Sequence, residues 1–392
     1  MTGTERTPRR MDHGSAERPV ALAAGGLLAL AAAIGVGRFI YTPILPLMVD
    51  GLRMTKATAG LLASANFAGY LVGALAAAAP IRHGTRRSWL IIGLTASAIT
   101  TGAMALGSST AMFLIVRFIG GVASALVLVF ASTLVLDRLH EMRRPGLAAV
   151  HFAGVGAGIA CAAMLVTAIV ARGGDWRVLW LAGGGLSLLA CYGVARLVPS
   201  RAERPPAITP RPAQNSRTLP WFVAAYGLFG FGYVITATFL VAIVRQLSEL
   251  RALEPYVWLV TGLAAAPSVA VWTSIGDRIG VIPAFALACA VEACGVAASV
   301  LWLAPAGVLL AAVFLGGTFM GITALGLIGA RQLSRGDARG TLAVMTAAFG
   351  LGQIVGPAFA GMIYDATASL VVPSLVATGA LLLGALLVIL VR

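Results

Sequence analysis

Twelve apolar runs separated by short polar breaks make up nearly all of the chain after residue 18. Their approximate limits are 20–48, 57–79, 89–107, 111–136, 146–170 and 176–198, then 219–245, 255–275, 281–303, 305–330, 341–364 and 369–391. A helix of roughly 20 residues at ~1.5 Å per residue crosses a ~30 Å hydrocarbon core, so each run is long enough to span a bilayer. The runs are continuous blocks rather than amphipathic stripes or alternating strands. The pattern predicts an all-α membrane protein with 12 transmembrane helices in two six-helix bundles. Residues 1–18 read as a polar cytoplasmic tail, 19–198 as the first bundle and 219–392 as the second. Between them, 199–218 is a basic, Pro-rich linker that includes Pro205, Pro206, Pro210 and Pro212.

Composition agrees with this reading. Hydrophobic residues make up 59% of the chain and charged residues 11%, and the mean hydropathy is +0.93, which excludes an ordinary soluble domain. A net charge of +14 would suggest nucleic acid in a soluble protein. Here the basic residues sit in the breaks between runs, so the expected surroundings are a lipid bilayer and no nucleic-acid partner is expected. With the amino terminus inside, 20 Lys and Arg fall in inner segments and 6 in outer ones, which predicts both termini on the cytoplasmic side. Cys161, Cys191, Cys289 and Cys294 lie within apolar runs without metal-ligand spacing. No P-loop, metal cluster or nucleophile constellation is present, so neither an enzyme nor a cofactor or metal site is expected.

The two halves match each other at a single offset of 196 residues. Arg82-His83-Gly84 falls on Arg278-Ile279-Gly280, Phe118-Ile119-Gly120-Gly121 on Phe314-Leu315-Gly316-Gly317, and Gly154-Val155-Gly156 on Gly350-Leu351-Gly352. A repeat with an even number of helices is a parallel repeat about an axis along the membrane normal, which is a transporter architecture.

The repeat also isolates residues that a duplicated scaffold does not need. Arg38 faces Val234 at the offset, Asn66 faces Gly262, Arg117 faces Val313 and His151 faces Ala347. All four polar residues lie in the first half, and substrate recognition is a natural use for them. Arg38 stands in Gly35-Val36-Gly37-Arg38-Phe39-Ile40-Tyr41-Thr42-Pro43, where glycines thin the helix and prolines loosen its pairing. Its guanidinium either faces a wet cavity or snorkels to the headgroups. Arg38 and Arg117 reach similar depths with no first-half carboxylate to pair with them. Two such cations facing one cavity would attract an anion. Asn66 and His151 serve equally well as hydrogen-bonding links between helices.

Tyr41, Tyr226, Phe231, Tyr233, Trp258 and Gln353 are further candidates to line a cavity between the halves. Glu292 is the one carboxylate near the middle of any run. A carboxyl group able to take up and release a proton there suits coupling to H+, and His151 is the competing site.

The loop signatures resemble the major facilitator superfamily. Gly276-Asp277-Arg278-Ile279-Gly280 is similar to its loop motif, while the first-half copy Ile81-Arg82-His83-Gly84-Thr85-Arg86-Arg87 has Ile81 where the motif carries aspartate. Arg117-Phe118-Ile119-Gly120-Gly121 and the Gly-rich fifth and eleventh helices resemble other motifs of that superfamily. The pattern at 37–48 and Gly230-Phe231-Gly232-Tyr233 look like the bacterial YbfB/YjiJ group. The resemblance implies a monomeric secondary transporter of the bacterial inner membrane that alternates between inward and outward states. It also implies a peripheral ninth helix, which argues for Glu292 as a neutral helix contact. Arg82, Arg86, Asp277 and Arg278 are then gate elements, with Asp277 meeting the amino terminus of the fifth helix near Pro145 and Gly146. The expected function is proton-coupled transport of a small organic anion or amphiphilic metabolite, with multidrug-type efflux as the alternative and a non-transporting receptor as a third reading.

Overall fold

The computed structural model describes residues 18–79, 83–107, 109–200, 218–334 and 338–390, with backbone alone at 338 and 339. Arg82 of the expected gate, the tail and most of the linker lie outside the described residues. The helices are α1 (Pro19–Leu52), α2 (Lys56–Ala78), α3 (Arg86–Ala103), α4 (Thr110–Glu141), α5 (Ala148–Val170) and α6 (Trp176–Leu197). The second set is α7 (Leu219–Gln246), α8 (Glu254–Ile279), α9 (Val281–Leu301), α10 (Pro305–Leu333), α11 (Ala338–Thr367) and α12 (Val371–Leu390). Eleven of these are long and apolar enough to cross a membrane, and the remaining one, α3, opens on Arg86 and Arg87.

The polar breaks start the helices. Thr55, Thr85 and Ser109 each accept from a backbone N–H three residues on, and Asp175 accepts from Arg177 N and Val178 N. These bonds satisfy donors that a helix start leaves free. Proline stands in the first turn of α1, α7, α8 and α10, where its missing N–H costs nothing.

Packing repeats between the halves. α2 lies on α4 as α8 lies on α10, α3 on α6 as α9 on α12, and α1 on α5 as α7 on α11. The halves meet along two equivalent seams, α2 with α11 and α5 with α8. Small residues set both seams: a Cβ at Gly60 would strike the carbonyl of Pro357, and one at Gly156 would strike the backbone of Ala266. Close backbone approach of this kind is how helices associate where lipid removes the hydrophobic drive. α7 is enclosed along most of its length, whereas Ile92, Ile99, Leu189 and Ile389 are exposed on outer faces, as hydrocarbon-facing positions should be. The face where α1 begins is called terminal below, and the face where α1 ends and α2 begins is called distal.

Candidate functional site

The site is built on a break in α1. A regular helix over Pro19–Leu30 widens into a π-turn at Ala31–Val36, and regular helix resumes at Tyr41–Leu52. Gly37 N and Phe39 N bond carbonyls five residues back, on Ala32 at 2.8 Å and Ile34 at 3.1 Å. Pro43 has no N–H to give to Phe39 O, and Thr42 N takes that acceptor at 3.3 Å instead. The prolines were expected to loosen the far end; the widening lies a turn earlier, and Pro46 sits inside the resumed helix. Gly35 packs directly on Gly158 of α5, so the widened stretch is clamped from behind. Single π-turns of this sort recur at functional sites.

Arg38 projects from this break and is 6% exposed. The headgroup-snorkelling alternative does not hold, because the guanidinium lies between rings rather than at an end of the bundle. Its Cζ is 4.3 Å from the ring centroids of both Phe67 and Tyr70 and 5.5 Å from that of Phe39. Nε and Nη2 have no hydrogen-bond partner. Arg117 of α4 is equally buried, 4.6 Å from the Tyr41 ring, and its Nε reaches Leu62 O at 3.5 Å. Both arginines line one small cavity of about 10 Å³ with Phe39, Tyr41, Thr42, Phe67 and Thr238, which is room for roughly one water. No carboxylate lines it.

The energetics are unbalanced. Cation–π contacts contribute ~0.5–2 kcal/mol each. Removing a guanidinium from water costs several kcal/mol, and each buried donor left unpaired costs about 1–3 kcal/mol. Two guanidinium groups in one small cavity therefore leave unmet demand for negative charge.

The other candidates divide into two groups. Asn66 is fully buried beside the pair and donates Nδ2–H to Arg117 O at 2.8 Å, while its Oδ1 has no partner. Tyr41 donates to Ala59 O at 2.8 Å. Across the seam, Tyr233 lies within electrostatic reach of Arg38, Tyr70 and Glu292 and accepts a short hydrogen bond from Gln353 Nε2. Gln353 Oε1 is buried without a partner. Tyr233 stacks nearly parallel between Phe319 (5.8 Å, 7°) and Phe349 (5.9 Å, 1°). Trp258 and Phe39 approach to 6.3 Å from opposite halves. These residues converge at the middle of the molecule.

Tyr226 and His151 are placed differently. Tyr226 is buried next to this group, stacked on the Phe349 ring that also stacks on Tyr233, and close to Gly326. His151 is enclosed in the first half, with Nε2 3.0 Å from Ser132 Oγ and its ring against Gly26, so it links α1, α4 and α5. Glu292 is 0% exposed, on a ninth helix that packs against α10 and α12 of its own half. Its carboxyl group is buried beside the Thr318 hydroxyl, which donates to Phe314 O at 2.5 Å.

At the terminal face, Arg86 pairs with Asp137 at 3.6 Å, within the first half. Asp277 and Arg278 are exposed, and among the described residues Asp277 has no bond to the start of α5. The closure present here is distal instead. Asp365 of α11 accepts from the backbone N–H groups of Lys56 and Ala57, both at 3.0 Å, so it caps α2 from the other half. Arg245 bridges Asp50 at 2.7 Å and Glu254 at 3.1 Å. Deeper in, Thr42 Oγ1 donates to Ala237 O and Ser64 Oγ to Ile354 O.

Sequence reasoning missed this distal set and missed Tyr70. The repeat subtraction could have found both, because Tyr70 faces Ala266 and Asp50 faces Gln246 at the same offset. Among the described residues no group of His, Cys, Asp and Glu could hold a metal ion.

Comparison with known proteins agrees with the fold. The family model described as "Uncharacterised MFS-type transporter YbfB" matches residues 30–389. The uncharacterized MFS-type transporter YtbD of Bacillus subtilis (strain 168) is 26% identical over 260 residues, and the match spans 64% of each chain. Crystal structures of the nucleoside transporter NupG and of a mutant of it superpose with TM-scores of 0.67 and 0.72 at 14% and 13% identity, covering 95% of this chain and 98% and 99% of those. A bacterial homologue of the human lysosomal transporter Spinster, inward-facing and unoccupied, gives 0.66 at 14% identity with 96% of both chains covered. Likeness at such identities speaks for the fold alone. With the family model matched over nearly its whole length, this chain belongs to the major facilitator superfamily of membrane transporters, in its YbfB-type group.

Proposed function

We propose that the chain is a secondary transporter of the inner membrane, with both termini cytoplasmic, that moves a small organic anion held between Arg38 and Arg117. One observation carries this reading: two guanidinium groups share a small cavity that no carboxylate lines, and Nε and Nη2 of Arg38 have no partner. An anion arriving there converts unpaired donors into charge-assisted bonds. Asn66 holds the Arg117 backbone, Tyr41 and Tyr233 supply apolar walls with hydroxyl ends, and Gln353 Oε1 is free to accept from a donor on the substrate.

The transport is coupled to H+ through Glu292. Glu292 is fully enclosed with no cation bridged to it among the described residues, so its carboxyl group can hold a proton in one state and release it in the other. His151, enclosed by first-half helices, is left with a structural role. In the alternate state Arg86, Asp277 and Arg278, with Arg82, close the terminal face while the distal bridges part. Efflux of cationic drugs fits poorly, because it needs a carboxylate in the cavity that holds the two arginines.

The test is a thermal-shift screen of the purified chain against small carboxylates and phosphates, followed by calorimetry on the best ligand. Bound ligand raises stability by RT ln(1 + [L]/Kd). Arg38→Ala should weaken binding about ten- to hundredfold, and Arg38→Lys should weaken it less because it keeps the charge but loses the planar fork. Equal affinity in all three folded proteins removes the anion site.

A further inference from the structure

The cavity between Arg38 and Arg117 has a neighbour. Past Phe39 and Ala237, which line both, lies a narrow slot walled by Tyr233 of α7, Trp258 of α8 and Phe319 of α10. Ile159 of α5 closes it from the first half, so the slot lies between the halves, where an alternating transporter carries its cargo. With Phe39, rings supply four of its eight lining residues, and no charged residue lines it. Both hydroxyl groups in its wall are already engaged, Thr261 with Val257 O at 2.8 Å and Tyr233 with Gln353. A cationic chamber thus opens beside an aromatic one.

In this state Phe39 fills the slot. Its ring meets that of Phe319 edge-on (5.8 Å, 72°) and that of Trp258 at 58° and 6.3 Å, and the space left over admits no water. Tyr233 backs Phe319 in a nearly parallel stack. Rings in edge-to-face and offset contact attract through their quadrupoles beyond the area they bury, whereas an alkyl chain in the same place gains area alone. Phe39 is carried by the widened stretch of α1, where its N–H bonds five residues back and its carbonyl accepts from Thr42 N. The backbone there is already irregular, so the ring can withdraw without breaking a regular helix. Phe39 also follows Arg38 directly, and the Arg38 Cζ lies 5.5 Å from its ring centroid.

We infer that the anion held between Arg38 and Arg117 carries an aromatic ring, which takes the place of the Phe39 ring among Trp258, Phe319 and Tyr233. The substrate class is a small aromatic acid with a short link between ring and acid group, because the guanidinium and the slot are adjacent. This rests on the anion site proposed above and adds the ring to it. Phe39 is then a specificity-determining residue: it yields to a flat ring and otherwise keeps the slot dry.

Phenylacetate and cyclohexylacetate share an acid and a link and differ only in the ring. The cyclohexyl group is the more apolar, so burial alone would favour it. Calorimetry on the full chain in lipid nanodiscs should instead find phenylacetate bound about two- to tenfold more tightly, the usual scale of ring–ring contacts. Phe319→Leu keeps an apolar wall and should erase that preference, while Arg38→Ala should weaken both acids alike. Phe39→Ala enlarges the slot, so 2-naphthylacetate, the weaker ligand of the wild type, should become tighter than phenylacetate. This size reversal decides the question if Phe319→Leu does not fold, and an unchanged order there overturns the inference. Equal binding of the two acids, both weakened by Arg38→Ala, also overturns it and leaves the anion site standing. A ring preference that follows Phe319 while Arg38→Ala changes nothing supports the slot and removes the anion reading instead. Absence of saturable binding by either acid, or partition into the lipid alone, overturns the inference.

Discussion

Replacing Asp365 tests whether the distal closure is an energetic latch or a passive contact. Its carboxylate accepts two backbone N–H groups in the first turn of α2, each at 3.0 Å, from the opposite half. Asp365→Asn keeps one acceptor oxygen but loses the second bond and the charge facing the helix start. Cap losses run ~0.5–2 kcal/mol and the helix-terminus charge ~0.3–1 kcal/mol, and Asp365 is exposed, so about 1 kcal/mol is the reasonable figure. Asp50→Asn breaks the Arg245 bridge, but the side chains are 28% and 63% exposed and solvent screens the pair. That bridge contributes about 0–1 kcal/mol.

The single Asp365→Asn variant should then raise the distal-open population about fivefold, and the double variant roughly five- to thirtyfold. The assay is the rate at which a membrane-impermeant maleimide labels Ala237→Cys, in a background with Cys161 and Cys294 replaced by serine because both are exposed. Ala237 is 5% exposed and sits beneath the bridges, beside Thr42, so it reacts only when the face parts. Unchanged labelling in the double variant refutes the latch and assigns the closure to the α2–α11 and α5–α8 seams.

Asp277→Asn should slow that same labelling, since Asp277 is exposed in this state and helps close the terminal face only in the distal-open one; an unchanged rate would leave Asp277 a solvated charge. Glu292→Gln should abolish gradient-driven accumulation in proteoliposomes while preserving substrate exchange, and normal accumulation there would remove Glu292 from coupling. Asn66→Ala should lower thermal stability by only about 0.6 kcal/mol, the usual size of an interhelical bond in a membrane, whereas its effect on ligand affinity reports how firmly Arg117 is held. Gly35→Leu should prevent α1 from packing on Gly158, costing at least about 1–3 kcal/mol of stability, with a melting curve as the readout.

Much of this protein is legible along the chain because lipid is a severe solvent. Every backbone donor must be satisfied within its own segment, so each spanning helix has to be a long apolar run, and twelve such runs mark twelve helices. Duplication made the pairing of the halves readable too, because Gly154-Val155-Gly156 and Gly350-Leu351-Gly352 recur at one offset. The same subtraction exposed Arg38, Asn66, Arg117 and His151 as residues the scaffold does not need, and the tertiary structure gathers the first three while holding His151 apart against Ser132 and Gly26.

What the chain could not display are the relations that depend on where helices cross. Whether Arg38 snorkels or turns inward depends on a π-turn at Ala31–Val36, whose cost is met by the backing of α5 at Gly158. Glu292 and His151 look alike as lone titratable groups in apolar runs, but only Glu292 sits within reach of Tyr233, because helix rotation is set by packing and not by composition. The distal bridges join residues such as Asp50 with Arg245 and Lys56 with Asp365, which are far apart in sequence and common in type. Charges at helix ends are abundant and each is worth little, so only the closing of two bundles decides which of them meet.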